Sequence, residues 1–200
     1  MALTWMTETM IRVNLSLFES LFLLGLLAYT FGQFLIFVFF NDIDALHAQA
    51  PIDFAHWFML IGVLLLVPQS SHFPNSRLHF VGVPLLLAGI GLLIGMCVLD
   101  FVFWSIDFPE QKSEIAAHLR NTPAIWLPFM DLSGKIFNLG LIICVFSYFK
   151  YSKTGPGIVA VGTLIIYSGG GWLNVVGYLV LSAGFALSFY AFSRERLEQA

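Results

Sequence analysis

The stretch FVGVPLLLAGIGLLIGMCVLDFVFW, residues 80–104, decides the fold class of this chain. It carries one charged side chain, Asp100, and is long enough to cross a hydrocarbon core of about 30 Å as an α-helix. The rest of the chain has the same character, because 58% of its residues are hydrophobic and only 10% are charged. A soluble domain carries about 25% charged residues, so this composition cannot cover a water-facing surface. The sequence predicts an all-α integral membrane protein.

Apolar runs of this kind recur along the chain, and prolines or glycines separate several of them. Pro51 and Pro68 bound the second run, which marks clean helix limits. The segment SGGGW at 168–172 divides the last apolar stretch into a short fifth helix and a full sixth one. The sequence therefore predicts a single membrane domain over residues 1–200, a compact bundle of six transmembrane helices. Their predicted ranges are about 13–40, 52–67, 80–104, 124–149, 156–168 and 172–193.

The fifth predicted helix is too short for a full crossing. Its apolar part, from Gly157 to Ser168, would extend for about 18 Å at 1.5 Å per residue. Either residues 151–156 add depth, or the turn from Gly169 to Gly171 lies below the outer surface. Irregular backbone at such depth is tolerated only where it is buried in protein or lines a water-filled cavity. A recessed turn would then form one wall of a pocket, and an ordinary surface turn is the alternative.

Positive charges predict the orientation of the bundle. The first and third loops are acidic, whereas cations precede the first helix, occupy the second and fourth loops and follow the last helix. These cations are Arg12, Arg77, Lys150, Lys153, Arg194 and Arg196. Because cytoplasmic loops carry the excess of Lys and Arg, both termini are predicted to be cytoplasmic. The predicted location is the plasma membrane (the inner membrane of a bacterium), as a multi-pass protein.

Charged side chains interrupt the fourth predicted helix at FMDLSGKIFNLG, residues 129–140. Asp131 and Lys135 are four positions apart and share a helical face, which Asn138 extends. An ionised side chain at the centre of the bilayer costs about 2.5–3.5 kcal/mol, so this face should point into the bundle. Two interpretations remain open. The two charges form a structural ion pair, or they line a binding site.

Other polar residues are predicted at a similar depth in the outer half of the membrane. Gln33, His56 and Asp100 belong to the first three predicted helices, and Asn174 opens the sixth. Intramembrane ionisable residues mark functional sites by default. The candidate ligand-binding site therefore consists of Asp131, Lys135, Asn138, Asp100, His56, Gln33 and Asn174.

Three functions are compatible with this pattern. The favoured one is an outward-facing polar pocket that binds a small or lipidic ligand or moves a proton-coupled solute. The alternative is an accessory or scaffold subunit with a purely structural ion pair, whose partner is a second copy or another membrane subunit. An enzyme with His56 as general base beside Asp100 or Asp131 is less favoured, because the sequence shows no nucleophile motif or metal motif. No catalytic residue, metal, cofactor or nucleic-acid partner is predicted, and the lipid bilayer is the expected surrounding.

Overall fold

The computed structural model of the chain describes residues 15–39, 52–106 and 108–199. Within these ranges every regular element is helical. The helices are α1 (Leu17–Phe39), α2 (Phe54–Ser71, with a 3-10 turn from Val67), α3 (His79–Trp104), α4 (Pro109–Arg120), α5 (Pro123–Tyr148), α6 (Thr154–Ser168) and α7 (Trp172–Glu198). The predicted ends of the first helix, at 13 and 40, lie outside the described residues.

Five of the helices in the described ranges are long and apolar enough to cross a membrane, namely α1, α2, α3, α5 and α7. This supports the predicted all-α, membrane-spanning class. The sixth predicted crossing, α6, has 15 residues and therefore extends for about 22 Å. Its role as a full crossing stays a prediction.

The helix α4 was missed by the sequence analysis, which left residues 105–123 as a loop. Its sequence, PEQKSEIAAHLR, is too polar to cross a membrane. The local signals for a helix are nevertheless present. Pro109 occupies the first helical position, Glu110 lies in the first turn, and His118 and Arg120 lie in the last turn, where each charge complements the helix dipole.

The five long apolar helices and α6 pack as three antiparallel pairs, α1 with α2, α3 with α5, and α6 with α7. Contacts of α7 with α1 and of α2 with α3 join these pairs into one bundle. Its centre is a cluster of buried aromatic side chains, in which Phe22 packs against Phe73, Phe185 and Phe189.

Glycines bring the backbones of each pair into direct contact. A Cβ atom built on Gly62 in α2 would lie 2.6 Å from the Tyr29 amide nitrogen and 2.7 Å from the Gly25 carbonyl oxygen in α1. A Cβ atom on Gly162 in α6 would lie 2.7 Å from the Gly177 carbonyl oxygen in α7. No larger residue fits at these distances, so small residues set the helix spacing.

The two ends of the bundle differ in charge. One end, where α1, α3 and α6 finish and α2, α5 and α7 begin, carries Asp53 and Asp100. The opposite end carries the cations Arg77, Lys150, Lys153, Arg194 and Arg196. There the buried carboxylate of Glu19 in α1 accepts a hydrogen bond from Arg196 Nη2 in α7 at 2.8 Å. These five cations share one end, as the loop pattern predicts, whereas Lys112 and Arg120 in α4 lie at the other end beside Glu110 and Glu114. The membrane side that the cationic end faces stays a prediction.

Candidate functional site

All seven predicted site residues line one of two cavities at the Asp53 end of the bundle. The first, here called the acidic cavity, has a volume of about 340 Å³ and is lined by Asp53, His56 and Asp100. The second, here called the mixed-charge cavity, has a volume of about 350 Å³. Its polar lining includes Asp131, Lys135, Asn138 and Asn174. Gln33, Met59 and Met96 line both cavities, so the two adjoin.

In the acidic cavity, His56 lies between two carboxylates. Its Nε2 atom is 3.0 Å from Asp100 Oδ2, and its Nδ1 atom contacts Asp53 Oδ2. Asp53 is 7% exposed, and Asp100 is 29% exposed. Each ring nitrogen of His56 therefore has its own carboxylate partner, one from the start of α2 and one from α3.

Asp53 is a site residue that the sequence analysis missed. It is the N-cap of α2, and its Oδ1 atom accepts a hydrogen bond from the His56 backbone N–H at 3.2 Å. Burial acts to raise the pKa of the Asp53 carboxyl, but the hydrogen bonds and charge of His56 outweigh it and hold that pKa below its usual value. An aspartate directly before an apolar helix, three residues ahead of a histidine, is the signal that predicts this contact.

No group of three or more His, Cys, Asp and Glu side chains that could hold a metal ion occurs in the part of the chain that the structure describes. The geometry of His56 shows why its own cluster does not qualify. Asp53 and Asp100 contact opposite nitrogens of one ring, so these ligand atoms do not converge on a common point. Cys97 and Cys144 are free thiols buried in the core.

The mixed-charge cavity is built around a widened turn of α5. Residues Leu127–Leu132 form a π-helical turn, and ordinary α-helix resumes at Ser133. Pro128 has no N–H to donate, which interrupts the i to i−4 bonding pattern at this point. Such π turns occur frequently at functional sites. This one carries Asp131, which lines the cavity.

Asp131 and Lys135 do not form the predicted ion pair. Both side chains line the cavity and are exposed, and neither takes part in an ion pair with any described residue. The i, i+4 spacing sets the helical face but not the rotamers. Charges that remain exposed gain little from pairing, so each side chain keeps its own position. Of the two interpretations that the sequence leaves open, the structural ion pair is the one that these side-chain positions do not support.

Asn138 lies one turn further into the bundle than Lys135 and is only 2% exposed. Its Nδ2 atom donates to the hydroxyl of Tyr178 at 3.2 Å. Its Oδ1 atom has no hydrogen-bond partner. The ring of Tyr178 packs edge-on against Tyr29, with 4.9 Å between centroids, and both tyrosines also line the cavity.

The glycine turn between α6 and α7 forms part of the cavity wall. Gly169 lines the cavity. Gly171 has a backbone φ of 63°, a conformation that residues other than glycine rarely adopt. With its amide nitrogen directed at the turn, Asn174 donates to the Gly169 carbonyl at 3.2 Å and to the Ile166 carbonyl at 3.3 Å. Asn174 thus holds the wall in place. The depth of this turn in the membrane stays a prediction.

Gln33 lies where the two cavities meet. Its Nε2 atom donates to the sulfur of Met59 at 3.4 Å. A thioether is a weak acceptor, so this contact holds the amide only loosely. Gln33 is therefore the polar side chain best placed to contact a molecule in either cavity.

No protein-family model, curated protein or solved structure matches this chain. The chemistry of the two cavities is therefore the basis for assigning a function. The acidic cavity joins a proton-binding imidazole to two carboxylates, and the mixed-charge cavity presents one anion, one cation and one buried amide.

Proposed function

We propose that this chain is a membrane-embedded binding protein that admits a small or amphipathic ligand to the outer half of the bundle, as the binding step of a proton-coupled transporter. One observation carries the proposal. Polar side chains from α1, α2, α3, α5 and α7 line two adjoining cavities. Each cavity falls in the range of about 300–1,000 Å³ that is typical of small-molecule sites.

The contacts of His56 support coupling to a proton. A neutral imidazole has one N–H and can donate to only one of its two carboxylates, whereas an imidazolium donates to both. The placement of Asp53 and Asp100 on opposite nitrogens therefore favours a ring that carries the additional proton. Release of that proton leaves one carboxylate without its donor, so proton binding and the charge of the acidic cavity are linked.

The same contacts give a membrane-embedded hydrolase a specific argument as the second candidate. In that reaction His56 acts as general base on a water molecule, and Asp53 orients the ring. The described lining of the acidic cavity contains no Ser, Thr or Cys side chain, so a covalent intermediate on such a residue is not part of this candidate. We rank it second because the two carboxylates favour an imidazolium, which has no lone pair with which to accept a proton from water.

An accessory or scaffold subunit is the remaining alternative. Its partner, another subunit or a second copy, would pack on an outward apolar face such as that of α2, where Trp57, Phe58 and Ile61 are exposed. This function places no demand on the cavities. A variant that fills a cavity therefore distinguishes the two functions, because it should impair a binding protein and leave a scaffold subunit unaffected.

Gly134 offers such a variant, because it lines the mixed-charge cavity and a Cβ atom there meets nothing within 4 Å. We expect Gly134→Leu to fill cavity volume without a backbone clash, and leucine favours a helix over glycine by about 1 kcal/mol. The amount of small molecules that denaturation releases from the purified protein, measured by mass spectrometry, should be about ten-fold lower in this variant.

Gly91→Leu is the matched control, since Gly91 in α3 also meets nothing within 4 Å and does not line the two cavities. We expect it to retain the released molecules. Equal retention by both variants, with unchanged stability, would contradict the binding function and favour the scaffold.

The proposed orientation, with both termini cytoplasmic in the plasma membrane, predicts the labelling of single introduced cysteines. Ser113 in α4 and Lys153 before α6 are exposed and belong to opposite ends of the bundle. In intact cells a membrane-impermeant maleimide should label Ser113→Cys, and should label Lys153→Cys only after permeabilisation. The native thiols are buried, so background labelling should be low. The reverse labelling pattern would show that the bundle has the opposite orientation in the membrane.

A further inference from the structure

We propose that the ligand of the mixed-charge cavity is a small zwitterion with one anionic group and one primary ammonium group. This inference rests on the proposed function and names the class of its ligand. Lys135 binds the anionic group, Asp131 binds the ammonium group, and Asn138 Oδ1 accepts an N–H or O–H from the part of the ligand that lies deepest.

The first argument is the arrangement of charge along α5. Asp131 and Lys135 line the same cavity, carry opposite charges and pair with no described residue. Four residues of helix separate their backbones by about 6 Å along the axis. A ligand with a single charge would form a charge-assisted hydrogen bond with only one of these two side chains. A zwitterion with its charges a few ångströms apart satisfies both.

The second argument is independent of these charges. Asn138 lines the cavity, is 2% exposed, and has an Oδ1 atom without a donor. Buried side-chain oxygens in native proteins are normally hydrogen-bonded, so an unsatisfied one needs a partner. The Nδ2 atom is already engaged by Tyr178, so the unfilled group is an acceptor. The Oδ1 atom has less than 1 Å² of accessible surface, so the Asn138 side chain has to rotate toward the cavity before a ligand N–H or O–H can donate to it. A fully methylated ammonium has no N–H and cannot make this hydrogen bond.

The same chemistry occurs in free zwitterions and in the headgroup of phosphatidylethanolamine. The experiment therefore measures the thermal stability of the purified protein in detergent with phosphoethanolamine or β-alanine. Phosphocholine and N-trimethyl-β-alanine are the matched compounds that lack N–H groups. A lipid arm compares nanodiscs of phosphatidylethanolamine with nanodiscs of phosphatidylcholine.

We expect at least one primary-ammonium compound to raise the unfolding temperature in a dose-dependent way, because a ligand that binds only the folded state stabilises it by mass action. Its trimethylated counterpart should have no effect. Stabilisation only in the lipid arm assigns the site to a headgroup, and stabilisation by a free compound assigns it to a soluble zwitterion.

The charge assignment is tested with Lys135→Met and Asp131→Asn. Each should raise the dissociation constant at least about ten-fold, because each removes a charge-assisted hydrogen bond. Lys153→Met removes an exposed lysine at the opposite end of the bundle and should leave the dissociation constant unchanged.

Equal stabilisation by methylated and unmethylated compounds and lipids, or no stabilisation in either arm, would overturn the zwitterion assignment. The proposed binding function is tested separately, by whether Gly134→Leu releases fewer small molecules on denaturation than the parent protein. If that decrease is seen and no zwitterion binds, the cavity holds a ligand of another class. If neither is seen, both proposals fail.

Discussion

Replacing Gly62 with leucine is expected to lower the free energy of unfolding by about 3 kcal/mol or more. The reason is that the new side chain has no room. A Cβ atom at this position would lie 2.6 Å from the Tyr29 amide nitrogen and 2.7 Å from the Gly25 carbonyl oxygen, and neither backbone atom can rotate away. The helices α1 and α2 would have to separate, which removes close packing along their whole contact.

Equilibrium unfolding in mixed micelles measures this loss, and Gly157→Leu is its control. Gly157 lies in α6, and a Cβ atom there meets nothing within 4 Å, so the same substitution should be neutral or slightly stabilising. Equal stability of the two variants would show that α1 and α2 do not touch at Gly62. The effect should also reach the site, because Tyr29 contacts Gly62 and lines the mixed-charge cavity.

The long apolar helices were predictable because an apolar run of their length avoids water. An apolar run such as residues 80–104 has to be shielded from water whatever its neighbours are, and it forms α3 at His79–Trp104. Hydropathy does not report the hydrogen-bonding pattern inside a helix, so the π turn around Pro128 was not predicted. It also overlooks polar helices, which is why α4 was read as a loop.

Glycine contacts were predictable only in part. Gly25 and Gly32 are seven residues apart in α1 and both contact α2, and Gly177 and Gly184 have the same spacing in α7 and both contact α6. Gly91 and Gly95 form a GxxxG spacing in α3, in which Gly95 packs against the Phe129 ring of α5 but a Cβ atom on Gly91 would meet nothing within 4 Å. A spacing shows that a close approach is feasible, and the partner helix decides whether it occurs.

The composition of the candidate site was predictable from depth, and its internal contacts were not. Counting residues from each helix end placed His56 and Asp100 at one level, and the structure brings them to 3.0 Å. Asp131 and Lys135 share a helical face, as their spacing predicts, but they do not form an ion pair, because both side chains stay exposed in a cavity. Asp53 was counted as a loop charge, although its place before α2 makes it an N-cap that reaches His56.

His56→Leu should lower the free energy of unfolding by about 3 kcal/mol near neutral pH, the lower part of the range for breaking a buried charge pair. Removing the imidazole takes the side-chain donor from Asp53, which is 7% exposed, and from Asp100, which keeps 29% exposure. The two carboxylates would then face each other across an apolar side chain. Equilibrium unfolding in mixed micelles at pH 7 measures the cost.

Two further variants identify the cause of this loss. Asp100→Asn in the His56→Leu background removes one of the stranded charges and should recover a large part of the stability, as a double-mutant cycle reports. His56→Gln keeps an N–H donor where the imidazole was, so its loss of unfolding free energy should be smaller than that of His56→Leu. If His56→Leu is as stable as the parent protein, the carboxylates are already solvated and the three side chains do not act as one unit.

The recovered double variant also separates a structural histidine from a proton carrier. Its fold is restored, but it has no group at this position that gains and loses a proton near neutral pH. Binding of a zwitterion in the mixed-charge cavity should persist in it, because Asp131, Lys135 and Asn138 are unchanged. Uptake of that compound into proteoliposomes driven by a pH gradient should be lost. Uptake at the parental rate would show that His56 only stabilises the contact between α2 and α3 and does not carry the proton.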